Sequence, residues 1–143
     1  MPEEATASSI ETLTREHRRL DELFGRFLAA AAHGDAGEAR RAIEAFDAEL
    51  RRHTDFEEDR LLPEPSGHKL APPRVESGEE RLSRELRVEH VQIREVSAMI
   101  LRQLAEKADL GAARALAGTL ARRWDAHTER EERELFRERK NGA

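Results

Sequence analysis

The sequence carries histidines at four positions where a helical repeat of apolar residues calls for leucine or phenylalanine. They are His17, His53, His90 and His127. Two of them are followed four residues later by a glutamate, in His53-x-x-x-Glu57 and His127-x-x-x-Glu131. On a helix this spacing places the imidazole and the carboxylate one turn apart on the same face. Both groups ligate metals, but either pair alone is weak evidence because glutamate is common in this chain.

The composition predicts that these residues lie on helices. Ala, Glu, Arg and Leu dominate, tyrosine is absent and β-branched residues are scarce, which favours helix over sheet. Glycine and proline interrupt the helical patterns, with Pro63 as a stop for the second helix and Ser8 or Ser9 as an N-cap for the first. The expected helices span about 9–33, 37–62, 79–108 and 111–138, with a long loop at 63–78.

The connections between these helices predict the architecture. The first and third connections are short, which favours antiparallel neighbours, so we expect an all-α fold: an up-down-up-down antiparallel four-helix bundle. A chain of 143 residues suits one domain. We expect that domain at residues 9–139, between a flexible tail at 1–8 and a C-terminal tail at 140–143.

The helix lengths place the four histidines in one layer of such a bundle. Each histidine lies roughly eight to twelve residues from the same end of the bundle, about 12–18 Å at the rise of an α-helix. Burying the two carboxylates beside them without partners would cost several kcal/mol each. Metal cations would turn that cost into binding energy. We therefore predict one metal-ligating set: His17, His53, Glu57, His90, His127 and Glu131.

The types and number of these ligands narrow the choice of metal. Nitrogen and oxygen ligands without thiolate suit iron, manganese or zinc. Six ligands are too many for one tetrahedral zinc and suit two octahedral ions, with Glu57 and Glu131 as bridges. Ferritin-like sites use Glu-x-x-His instead. That motif is absent, because the residues three before the histidines are Thr14, Leu50, Arg87 and Trp124.

The combined motifs resemble the hemerythrin-like, or HHE cation-binding, domain family. They are Glu-His17-Arg, His53-x-x-x-Glu57 followed by Leu-Leu-Pro, Glu-His90, and His127-x-x-x-Glu131-Glu-x-x-Leu-Phe, from about Ser9 to Phe136. The resemblance implies a four-helix bundle holding two non-haem iron ions, bridged by Glu57 and Glu131 and by an oxo or hydroxo group. Members of this family bind dioxygen, respond to oxygen or iron, or act on nitric oxide, peroxide or damaged iron centres.

The sequence departs from the oxygen-carrying members at one ligand position. Those members have a fifth histidine four residues from the third-helix histidine, where this chain has Leu86 or Arg94. Each iron then has about two imidazoles and more open positions. The replacements to consider are water and four side chains: His68, Asp21, Glu16 and Glu89.

Several nearby polar residues have plainer interpretations. Glu16 and Glu89 are either solvated acids or groups that orient imidazoles, and His68 lies in the long loop. His33 closes the first helix, where an imidazolium suits the helix dipole. Glu58 and Glu132 are expected on the helix exterior.

Charge and composition limit the classes of partner. The net charge is −5 with signs interleaved along the chain, which argues against nucleic acid as a partner. No apolar run approaches the ~20 residues of a membrane span, and Met1 to Ser9 is unlike a signal peptide. The absence of cysteine removes disulfides and thiolate catalysis. We expect a cytoplasmic protein, a monomer or weak homodimer.

Three functional hypotheses remain at this point. The favoured one is a di-iron protein that binds or senses dioxygen, or responds to iron, rather than a dedicated enzyme. The alternative is a di-iron redox enzyme acting on peroxide or nitric oxide with a redox partner, or an iron-handling or repair protein. The third is a metal-free structural bundle.

Overall fold

The computed structural model describes residues 2–62 and 75–136, with side chains described from Ser9 onward. Its helices are α1 (Pro2–Ala32), α2 (Ala36–Arg60), α3 (Gly78–Glu106) and α4 (Leu110–Arg130), and α4 runs into a π-helical segment (Glu131–Phe136). No strand occurs within these described ranges. Each helix packs on its neighbours in a closed ring, α1 on α2, α2 on α3, α3 on α4 and α4 on α1. The predicted all-α bundle is confirmed.

Side chains at the helix starts define where the chain reverses. The N-caps of α2, α3 and α4 are Asp35, Ser77 and Asp109. Each accepts a hydrogen bond from a backbone N–H three residues on, at 2.9–3.0 Å, which satisfies a donor that the first turn leaves unbonded. Gly34, at φ +76°, makes the left-handed turn between α1 and α2. The caps of α2 and α4 hold the two short connections, which make α1 antiparallel to α2 and α3 antiparallel to α4.

The helix bounds differ from the expected ones at both ends of the chain. α1 begins at Pro2 rather than near residue 9, so residues 2–8 form its first turns. Proline suits a first turn because its missing N–H has no partner there in any helix. The chain after Arg130 continues as a π-helix rather than as the expected α-helix. Pro63, His68 and most of the expected loop, like the C-terminal tail, lie outside the described residues.

Two apolar clusters fill the bundle, one on either side of a polar layer. The larger cluster contains Phe27, Phe46 and Trp124, and lies toward the short connections. The smaller cluster lies at the other end of the bundle and comprises Ile10, Leu13, Leu61, Leu62, Leu86, Leu135 and Phe136. On every helix the predicted ligand histidine falls between a residue of one cluster and a residue of the other. The fold therefore places four imidazoles at one depth.

None of the helices in the described ranges combines the length and the apolar character that crossing a membrane requires.

Candidate metal centre

The six predicted ligand side chains converge in the polar layer. All are buried, with at most 3% of each residue exposed. Their ligand atoms form two groups, and within each group the atoms lie within 4.8 Å of one another. One group is His17, His53, Glu57 and Glu131, and the other is His90, His127, Glu57 and Glu131. The two glutamates therefore belong to both groups, while each histidine belongs to one.

The Nε2 atoms of the histidines all point inward. His17 Nε2 lies 3.1 Å from His53 Nε2 and 3.1 Å from Glu131 Oε1. On the opposite side, His90 Nε2 lies 2.9 Å from Glu57 Oε1. His127 Nε2 lies 2.9 Å from Glu131 Oε2. Nitrogen and oxygen lone pairs from all four helices thus face one small space.

Several of these short contacts are not hydrogen bonds. Both oxygens of Glu57 and the Nε2 of His127 are buried without a hydrogen-bond partner among the described atoms, although nitrogen–oxygen distances of 2.9 Å occur at both residues. The atoms are close, but the angles at these contacts are not those of hydrogen bonds. Buried polar atoms without partners are costly. A cation between them would satisfy all of them, so these residues fit a metal centre.

Three of the four histidines have a carboxylate on the outer nitrogen. The pairs are His53 Nδ1 with Glu16 (2.8 Å), His90 Nδ1 with Glu58 (2.8 Å) and His127 Nδ1 with Glu89 (2.7 Å). A carboxylate only accepts, so the Nδ1 atom carries the proton and donates it. Nε2 is then the nitrogen that can offer a lone pair to a cation in the interior. This arrangement fixes the tautomer and the ring orientation of a metal-binding histidine.

These pairs settle the interpretation of several acids near the site. Of the alternatives for Glu16 and Glu89, the structure shows the one in which they orient imidazoles. The expectation that Glu58 lies on the helix exterior is wrong, because its side chain reaches across to His90 on α3. Glu132 does lie largely exposed, with its Oε1 3.9 Å from His17 Nδ1.

The remaining candidates for a fifth ligand are placed elsewhere. Asp21 accepts a hydrogen bond from the Trp124 indole N–H at 2.8 Å. Leu86 lies in the smaller apolar cluster, and Arg94 donates to Asp55 at 3.1 Å. His33 is exposed in the turn directly after α1. Within the part of the chain that the structure describes, the candidate ligand groups contain no fifth histidine.

When no cation is bound, the electrostatics of the layer favour protons on some of its side chains. Burial, and then the negative charge of Glu57, raise the pKa of Glu131 well above its ordinary value. Burial opposes protonation of His90, but its contacts with Glu131, Glu57 and Glu58 outweigh burial and raise its pKa to about 10. Burial, and then repulsion from His53, lower the pKa of His17 to about 3. At neutral pH the metal-free centre therefore keeps a proton on His90, and the raised pKa of Glu131 favours a proton there as well.

Metal loading is therefore expected to release protons. A cation must displace the proton that the raised pKa keeps on His90, together with any proton that the raised pKa of Glu131 keeps on that carboxylate. The apparent metal affinity should rise between pH 6 and pH 8, by about tenfold per pH unit for each proton displaced. Titration calorimetry of the metal-free protein in two buffers of different ionisation enthalpy measures this release. Equal heats in both buffers would show that no proton leaves.

The single tryptophan is expected to report metal loading. Trp124 lies edge-on to His17, with ring centroids 5.5 Å apart, and its centroid is 6.3 Å from those of His53 and His127. An open-shell ion such as Fe²⁺ or Co²⁺ held by these imidazoles should quench its fluorescence strongly, whereas Zn²⁺ should not. Emission that is the same with and without Co²⁺ would place the ion away from this layer.

Comparison with known proteins agrees with this geometry. The family model described as the hemerythrin HHE cation binding domain matches residues 8–138. The comparisons with curated proteins and with solved structures give no significant match. The match covers α1 from residue 8, the other helices in full and every residue of the layer, and the bundle carries its histidines and glutamates in two groups that could hold cations. The chain belongs to the hemerythrin HHE cation-binding domain family.

Proposed function

We propose that this protein is a non-haem di-iron protein that binds a small diatomic or peroxide ligand at its metal centre. The observation that carries the proposal is the sharing of Glu57 and Glu131 between two buried ligand groups, each with its own pair of histidines. Two groups that share carboxylates suit two ions a short distance apart. Nitrogen and oxygen ligands without sulfur suit iron among the redox-active metals.

The proposed ligand sets follow from these groups. His17 and His53 would hold one iron, His90 and His127 the other, and both glutamates would bridge. Each ion would then have two imidazoles and two carboxylate oxygens, leaving about two positions of an octahedron open. Iron held in this way supplies open coordination positions and electrons for a small ligand.

The chain itself controls which molecules reach the centre. The six ligand side chains are almost fully buried, which favours a ligand of two or a few atoms. Apolar side chains above and below the layer, such as Leu13, Leu50 and Ile93, are buried and keep bulk water out. A surface groove of about 310 Å³ reaches the outer face of His90, where Glu58 and Arg94 line it. This groove is our proposed approach for the small ligand.

Reversible binding of dioxygen, or a response to iron, is the favoured form of this function. The second form is turnover of peroxide or nitric oxide with an electron-donating partner, or a role in iron handling. The small number of imidazoles supports it. With two histidines at each position, both ions have exchangeable sites. A metal-free structural bundle is disfavoured by the buried oxygens of Glu57, which have no hydrogen-bond partner in the described residues.

One experiment separates these forms. The protein is loaded anaerobically with Fe²⁺, and absorption spectra are recorded on adding dioxygen, nitric oxide or hydrogen peroxide. A spectrum that appears with dioxygen and reverses on its removal would support the binding protein. Steady-state consumption of peroxide or nitric oxide with an electron donor would support the enzyme. An iron-loaded protein that is spectrally unchanged by all three molecules would contradict the proposal.

A further inference from the structure

We infer that the two metal positions are unequal: the position between α3 and α4, at His90 and His127, binds its ion more tightly than the position between α1 and α2. The ion at His17 and His53 is then the one that exchanges. This inference rests on the proposed function, since it requires that the layer binds two ions. The inequality is attributed to the side chains that surround the ligands, not to the ligands themselves.

The outer carboxylates follow a pattern around the bundle. A glutamate of α1 bonds the histidine of α2, a glutamate of α2 bonds that of α3, and a glutamate of α3 bonds that of α4. The fourth member of this ring would be Glu132, directed at His17 on α1. Its Oε1 stops 3.9 Å from His17 Nδ1, and that nitrogen is buried without a hydrogen-bond partner in the described structure. The ring is therefore broken at His17.

The carboxylates of the α3–α4 position are themselves held by arginines. Arg87 donates to Glu58 at 3.1 Å, and Arg130 donates to Glu89 at 2.7 Å. Arg130 is fixed in turn by Glu85 and Glu134. The Glu58 and Glu89 side chains are only 25% and 26% exposed. Each imidazole at this position is thus set by a carboxylate that cannot easily turn away.

The α1–α2 position has no such support. Glu16 bonds His53, but its side chain is 41% exposed, and in the described part of the chain no arginine or lysine pairs with it. Glu132 is 48% exposed and out of hydrogen-bond range of His17. His17 is instead held by ring packing, with Phe136 stacked at 5.4 Å between ring centroids. Packing places this imidazole but does not fix which nitrogen carries its proton.

The difference has a direct consequence for binding. A histidine fixed in the correct tautomer and orientation needs no reorganisation when the ion arrives, and loss of such outer partners typically costs 10–100-fold in metal affinity. The two positions share both glutamates, whereas the outer partners of the histidines belong to one position each. We therefore expect the two ions to leave at rates that differ by about 10–100-fold.

The test is the release of iron to a chromogenic Fe²⁺ chelator. Protein loaded anaerobically with Fe²⁺ is mixed with excess chelator, and the absorbance of the complex is followed. The expected result is two phases of equal amplitude, with the rate difference stated above. Release of both ions in one phase would overturn the inference, but it would not contradict the proposed di-iron centre. A protein that carries no iron before mixing would instead overturn the proposed function, and this inference with it.

Three variants assign the phases to positions. Glu89→Gln should accelerate the slow phase by about tenfold or more and leave the fast phase unchanged. The unchanged fast phase is an internal control, since general destabilisation would accelerate both. Glu16→Gln should accelerate only the fast phase, and Glu132→Gln should alter neither. If Glu89→Gln accelerated only the fast phase, the assignment of phases to positions would be reversed and the inference overturned. Acceleration of the slow phase by Glu16→Gln would overturn it in the same way.

Discussion

Replacing Glu131 with glutamine is expected to reduce bound iron from about two ions per chain to one or none. The Glu131 carboxylate contacts histidines of both groups, since Oε1 lies 3.1 Å from His17 Nε2 and Oε2 lies 2.9 Å from His127 Nε2. An amide of the same shape has one oxygen and no charge, so it cannot bridge two cations. The measurement is the iron content of the purified, reconstituted variant by elemental analysis.

A matched control is available two residues away. Glu129 is an exposed acid, 75% accessible, paired only loosely with Arg133 at 3.4 Å. Glu129→Gln makes the same chemical change outside the layer and should leave both ions bound. If Glu131→Gln also kept both ions and the spectrum of the parent protein, Glu131 would not be a bridging ligand and the proposed ligand sets would be wrong.

The second large effect is expected on stability. Removing the metal leaves buried polar atoms without partners in the middle of the bundle, and ligand binding at a thousand times the dissociation constant stabilises a fold by about 4 kcal/mol. For a chain of this size that corresponds to a fall in Tm of about 10 °C or more on removal of iron. Thermal unfolding followed by circular dichroism, with and without a chelator, measures this difference.

A ligand variant controls for other effects of the chelator. Glu57→Gln should unfold at one temperature whether or not iron is supplied, because the shared carboxylate is missing. If the parent protein unfolds at the same temperature in both conditions, the layer is stable as a polar core. Such a result would favour the metal-free structural bundle.

The depth of the histidine layer could be predicted from the sequence because few quantities determine it. The helical period gives the face of each histidine, and the short connections make the helices antiparallel. The rise per residue then sets the height. Errors of one or two residues at the helix ends move a histidine by only a few ångströms, less than the reach of the imidazole. The start of α1 at Pro2 is a larger error, but it does not move His17, because the short connection after Ala32 sets the depth of α1 relative to α2.

The outer contacts could not be predicted in the same way. Glu58 follows an inward glutamate, which on helical period alone directs it outward. Its contact with His90 depends on how closely α2 approaches α3 and at what angle, and the hydrophobic pattern does not encode that geometry. One signal was available for Glu16 and Glu89: each directly precedes a ligand histidine, so it faces the histidine of the next helix rather than its own.

The π-helical turn after Arg130 could not be predicted from the hydrophobic pattern either. The segment Glu131–Phe136 winds as a π-helix, so the helix changes its winding at a predicted ligand of the centre. Such turns occur often at functional sites. Composition and period do not distinguish Glu131–Phe136 from the α-helix that precedes it.

The central claim is that the layer holds two iron ions, and metal content tests it most directly. The protein is reconstituted anaerobically with Fe²⁺, separated from excess metal and assayed for iron by elemental analysis. An absorption spectrum is recorded before and after oxidation. We predict about two irons per chain, with near-ultraviolet and visible bands that appear on oxidation. A protein that retains no metal after reconstitution would contradict the account.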